Sequence, residues 1–165
     1  MQILYYVLTI AIIGAGNIGS RHLQALVNLD IHFSIELFDP SHTALDIAYE
    51  RFMQVLKPES KIQLSLFKQI SDTDSHIDVG IIATNSDKRR QIVEELVSSK
   101  KVDYLIIEKV AFPSVEDFQK VITLLKKYNV KSWVNCRFRM FPFFLEAKQN
   151  FKNGERIFYY VQGGN

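Results

Sequence analysis

The chain has 165 residues, enough for one domain with its own core, and is 47% hydrophobic and 23% charged, an ordinary globular balance. A net charge of +2 gives no reason to expect nucleic acid or a membrane surface as a partner. A single cysteine, Cys136, excludes an internal disulfide and a multi-cysteine metal centre; it fits a reducing, cytoplasmic setting, and no metal is expected.

Residues 1–10 are apolar, yet no basic residue precedes them and no small-residue cleavage site follows. They read as the first strand with a short extension rather than a secretory signal. Residues 1–13 are too few to cross a bilayer as a helix. Leu8, Ile10, Ala11, Ile12 and Ile13 predict a buried strand, followed by Gly14-Ala15-Gly16-Asn17-Ile18-Gly19. A helix over 17–29 carries Ile18, Leu23, Leu26 and Val27 at helical spacing, and a second strand over 33–38 ends at Asp39.

Three glycines in six residues also mark ordinary loops. Here a strand precedes them, a helix follows, and an acid stands 20 residues beyond Gly19, the context of a dinucleotide-binding turn. Gly14 permits the tight turn, Gly16 lets a pyrophosphate approach the backbone, and Gly19 lets the helix pack closely on the sheet. The helix N-terminus, at Asn17 and Ile18, offers free amides and a positive dipole end to the phosphates. The bland alternative is a βαβ turn that binds nothing, and the same loop also occurs in methyltransferases that bind S-adenosylmethionine. Asp39 can accept two ribose hydroxyls and would repel a 2′-phosphate. No Lys or Arg stands in Pro40-Ser41-His42-Thr43, so NAD is favoured, with NADP still open through Ser41 and His42. Asp39 can equally be a turn or cap residue before Pro40.

The alternation continues. A helix over 42–53 presents Ala44, Leu45, Ile47, Ala48 and Phe52, and Ile62, Leu64 and Leu66 alternate as a strand toward a sheet edge. Residues 78–84 form an apolar strand suited to burial on both faces, with a helix over 86–98 behind it. A strand over 104–108 precedes Pro113 and the capping pattern Ser114-x-x-Asp117, which opens a helix carrying Phe118, Val121, Ile122, Leu124 and Leu125. A sixth strand over 131–136, a helix over 142–150 and a β run over 156–162 complete the chain. Strands alternating with helices imply an α/β, doubly wound parallel sheet with helices on both faces, over residues 1–136. Residues 137–165 are expected to be a junction and the first strand of a second α/β domain that stops short.

Thr84, Asn85 and Ser86 follow the fourth strand, where they can bond the nicotinamide ribose or carboxamide, or simply cap the next helix. Lys88, Arg89 and Arg90 read as a solvated first helical turn rather than a phosphate clamp. Arg137 and Arg139 can meet an anionic substrate, or belong to a basic junction. Arg21 and His22 read as surface or packing residues, and Cys136 as a small buried side chain. Trp133, Phe138, Phe141, Phe143 and Phe144 suit packing between two halves, and their exposure would favour self-association.

At Glu108-Lys109 the chain resembles the Gfo/Idh/MocA oxidoreductases, the glucose–fructose oxidoreductase and inositol dehydrogenase group. The resembling residues are the glycine loop through His22, Ile81-Ile82-Ala83-Thr84-Asn85, Glu108-Lys109-Val110 and Asn135-Cys136-Arg137-Phe138. The resemblance implies a Rossmann cofactor half followed by an α/β half. It also implies hydride transfer between NAD or NADP and a hydroxyl-bearing or keto carbon of a sugar, cyclitol or sugar nucleotide. Lys109 matches the catalytic-site lysine of the family's Glu-Lys-Pro motif, with Val110 in place of the proline. Members run to about twice this length, and their second half supplies most of the substrate pocket and the usual catalytic histidine and aspartate. None of His22, His32, His42 and His76 matches that histidine, so a non-catalytic dinucleotide-binding module is the competing expectation. A homo-oligomer formed through the second half is also implied.

Overall fold

The computed structural model describes residues 6–150, which fall into two units divided after Asn135. The first is a six-stranded, fully parallel sheet in the order β3-β2-β1-β4-β5-β6. Its strands are β1 (Leu8–Ile13), β2 (Phe33–Phe38), β3 (Gln63–Phe67), β4 (Ile77–Ile82), β5 (Val102–Glu108) and β6 (Lys131–Asn135). Helices α1 (Asn17–Leu26), α2 (His42–Met53), α3 (Ser86–Ser99) and α4 (Val115–Lys127) connect them. The strand order reverses direction at β1, between β2 and β4.

Two hydrophobic clusters, one on each face of the sheet, hold this arrangement. Alternation along β1 divides its side chains between them: Ile10 and Ile12 join Leu23 of α1 and Leu45, Ala48 and Phe52 of α2. Ala11 and Ile13 join Val93, Leu96 and Val97 of α3 and Val121 and Leu125 of α4. With both faces covered, the central strands are mostly apolar, as buried parallel sheets favour. The edge strand β3 has no fully buried residue: Leu64 and Phe67 are half-buried, and Leu66, expected to face inward with Leu64, is exposed.

Several helix faces are narrower than the sequence reading expected. In α2, Leu45, Ala48 and Phe52 are buried but Ile47 is exposed; in α4, Val121 and Leu125 are buried while Ile122 is half exposed. A helix on one face of a sheet buries a single stripe, and Ile47 and Ile122 fall outside it. Ser114 caps α4, its hydroxyl accepting from the Asp117 amide at 3.1 Å. Trp133 is exposed on β6, with its ring edge-on to Tyr104.

The second unit begins at Cys136 and contains a 3-10 turn, Arg137–Met140, and helix α5 (Pro142–Asn150). The β run expected over 156–162 lies outside the described residues. Among the described residues no helix is long and apolar enough to cross a membrane.

Candidate functional site at the carboxyl edge of the sheet

The glycine loop leaves β1 where the strand order reverses. Gly14 has φ +105°, a conformation that L side chains rarely adopt, and a Cβ there would lie 3.0 Å from the Ala83 carbonyl carbon. Its amide donates to the Phe38 carbonyl at 2.8 Å, locking the turn to the end of β2. A Cβ on Gly19 would lie 1.7 Å from the Gly14 carbonyl oxygen. Gly19 therefore lets the first turn of α1 lie against the loop itself, whereas the sequence reading had it facing the sheet. Gly16 is the opposite case: nothing lies within 4 Å of the position its Cβ would take. It caps α1, whose first intrahelical bond runs from the Ser20 amide to the Gly16 carbonyl at 2.9 Å. The amides of Asn17, Ile18 and Gly19 precede that bond and have no acceptor within the helix. The Asn17 side chain accepts from Arg51 of α2 at 3.1 Å.

Asp39 follows β2. One carboxylate oxygen accepts from the Ala15 amide at 2.8 Å and the other from the Ser41 amide at 2.9 Å. The carboxylate thus braces the glycine loop and the start of α2 together, and each oxygen keeps a lone pair for a further donor. The ribose and turn-cap readings of this residue are compatible. His42, the alternative phosphate partner, is exposed and pairs with Asp46 at 3.4 Å.

Across the reversal point an open cleft of about 600 Å³ is lined by Ile18, Ala83, Thr84, Asn85, Ser86 and Lys109, among others. The Thr84 hydroxyl oxygen is buried with no partner among the described residues. Asn85 is the N-cap of α3 but makes no side-chain cap bond. Lys109 is exposed at the cleft, and its peptide bond to Val110 is cis. Glu108, the last residue of β5, is 8% exposed. It accepts from His22 Nε2 at 2.7 Å and from Asn135 Nδ2 at 2.5 Å. Burial opposes its ionisation, but the bonds from Asn135 and His22, the His22 charge and the Lys109 amide outweigh that and hold the carboxyl below its ordinary range.

Two residues need correction. Arg89 is 3% exposed and is no part of a solvated turn. Its Nη1 donates to the carbonyls of Glu108 and Val110, each at 2.5 Å, and of Ala111 at 3.2 Å; its Nη2 donates to the Thr84 carbonyl. Burial lowers its pKa, and the Glu108 charge partly restores it. The signal was present in the sequence: Arg89 continues the stripe Val93, Leu96 and Val97 one turn toward the N-terminus of α3. His22 is the other, since it bonds Glu108 rather than serving as surface or packing alone. Periodicity could not supply that, because the partner lies on another element.

Arg137 and Arg139 lie exposed in the second unit's 3-10 turn. At the amino edge of the sheet, His76, Asp78 and Asp103 bring metal-ligating side chains together. Their atoms are engaged with one another and with the chain: His76 pairs with Asp103 at 3.0 Å, and Asp78 accepts from Tyr6 and the Thr9 amide, each at 2.7 Å.

The model of the GFO_IDH_MocA family, described as an oxidoreductase family with an NAD-binding Rossmann fold, matches residues 8–136. No curated protein matches the chain. Among solved structures, the WlbA dehydrogenase of Bordetella pertussis, in complex with NADH and UDP-GlcNAcA, aligns with a TM-score of 0.72 at 18% identity, over 87% of this chain and 41% of that one. An NAD-binding protein of Listeria innocua aligns with a TM-score of 0.68 at 20% identity, over 87% and 40%. An oxidoreductase of Agrobacterium radiobacter, in complex with NAD+, L-tartaric acid and magnesium, gives 0.64 at 19% identity, over 81% and 36%. The chain thus spans about two-fifths of the length of these structures.

Proposed function

The chain belongs to the Gfo/Idh/MocA oxidoreductase family, and on that premise we propose that it is the cofactor-binding part of an NAD-dependent dehydrogenase. Its reaction moves a hydride between nicotinamide and a hydroxyl-bearing carbon of a sugar, cyclitol or sugar nucleotide. The observation that carries the cofactor assignment is the contrast among the glycines. Gly14 is closed in by Ala83 and Thr84 just past the end of β4 and Gly19 by its own loop, whereas Gly16 faces open space beside acceptor-free amides. A diphosphate fits that cradle, and the spare lone pairs of Asp39 fit a ribose diol without a 2′-phosphate.

The buried Thr84 hydroxyl, Asn85 and Ser86 suit the nicotinamide end of the ligand. When bound, the nicotinamide supplies the hydride acceptor or donor. Lys109 hydrogen-bonds the substrate oxygen and stabilises the alkoxide from which the hydride leaves carbon, once the hydroxyl proton has passed to a base of the substrate half. Glu108 fixes the backbone from which Lys109 projects, through His22 on α1 and Asn135 on β6. Arg137 and Arg139 are offered as contacts to an anionic substrate group, of the kind carried by the sugar nucleotide in the Bordetella structure. Residues 137–165 are proposed to lead into the substrate domain, which would also mediate any homo-oligomer. The alternative is a module that holds NAD without turnover.

Fluorescence titration of the purified chain with NADH and with NADPH tests the cofactor assignment. Saturable binding with NADH at least tenfold tighter is expected, the order of one lost charge interaction. No binding to either ligand would refute it. Hydride transfer from NADH by the 165-residue chain alone would reject the module reading.

A further inference from the structure

Arg89 is the best-connected buried cation among the described residues, yet no carboxylate bonds it. Its guanidinium joins two loops. The Thr84 carbonyl belongs to the loop after β4; the Glu108 carbonyl ends β5, and the Val110 and Ala111 carbonyls belong to the loop that follows it. These loops form the two walls of the cleft that Thr84 and Lys109 line. Neighbouring loops at a sheet's carboxyl edge have no ladder bonds to hold them together. A planar group with donors in a fixed fork can bridge them where a single ammonium cannot. The stem lies on the buried stripe of α3, so the fork is anchored by packing against the core.

We propose that Arg89 is a positioning residue that clamps the β4–α3 and β5–α4 loops together, so that the nicotinamide end of the dinucleotide is held while the adenosine end is indifferent to it. The proposal rests on the dinucleotide reading above. The adenosine end is served by the glycine loop and Asp39, none of which Arg89 touches in the hydrogen bonds of the structure.

The test compares NADH with ADP-ribose, which lacks the nicotinamide ring, on wild type, Arg89→Met and Arg89→Lys. Wild type should bind NADH more tightly than ADP-ribose and enhance the reduced nicotinamide emission. Arg89→Met should bind NADH about tenfold more weakly, the scale of losing charge-assisted bonds, with ADP-ribose affinity unchanged and the enhancement gone. Arg89→Lys keeps the charge and can bond one loop, so it should recover part of the enhancement. Equal loss of both ligands, or loss of neither, overturns the proposal. If Arg89→Met does not fold, the same split or its absence in Arg89→Lys decides. Wild type binding both ligands equally would overturn the clamp and leave the dinucleotide reading standing; binding neither would remove both.

Discussion

At Gly16 and Gly19 one residue type serves opposite purposes. Gly19 makes room for its own chain, because a Cβ there meets the Gly14 carbonyl oxygen at 1.7 Å. Gly19→Ala should therefore destabilise the fold by about 3 kcal/mol or more, the range of backbone overpacking, read by urea titration. Gly16 makes room for something else. Gly16→Ala should leave the unfolding free energy within about 0.5 kcal/mol of wild type and weaken NADH binding at least tenfold. A midpoint that falls as far as that of Gly19→Ala would reject this division. The glycine spacing and Asp39 were legible because their requirements are local: a positive φ, a helix start and an acid at a set distance. Arg89 was misread because Lys88-Arg89-Arg90 looks like a charge run, although its burial could be read from the stripe that continues at Val93.

Among the elements, periodicity located every strand of the sheet to within two residues, since apolar runs bounded by polar turns leave little choice. It was less sharp about helix faces. The sequence placed Phe118, Val121, Ile122, Leu124 and Leu125 on α4 without ranking them, and contact with a twisted sheet selects a narrower stripe. Leu125 is 6% exposed and Ile122 50%. Leu125→Ala should cost about 2–4 kcal/mol and Ile122→Ala less than about 1 kcal/mol, measured by thermal or urea unfolding. Similar losses at both positions would show that α4 sits rotated from the arrangement described.

For the whole molecule, Glu108 gathers three separate elements at the carboxyl edge: its own strand β5, His22 from α1 and Asn135 from β6. Its folded pKa lies below the ordinary value of 4.5, so its contribution to stability is complete above that pH. The contribution is lost as pH falls through the folded value. Glu108→Gln should destabilise by about 1–2 kcal/mol at pH 7, and the deficit should shrink toward about pH 3. A deficit that stays constant or widens in acid would show that the carboxylate charge is not what joins these elements. The sheet as a whole was legible, since alternating strands and helices admit few topologies. The network around Glu108 was not, because its partners are far apart in sequence, at 22, 108 and 135.

The position of β1 has a consequence for how the protein is made. β1 pairs with β2 on one side and with β4 on the other, Ile10 opposite Val79. On the ribosome β2 follows soon after β1, but β4 does not. At the usual pace of synthesis the nascent chain carries an apolar central strand with one open edge for several seconds, on the order of ten. An edge of that kind is a template for pairing with other chains. Leu8–Ile13 is therefore open to mispairing until Ile77–Ile82 has been made.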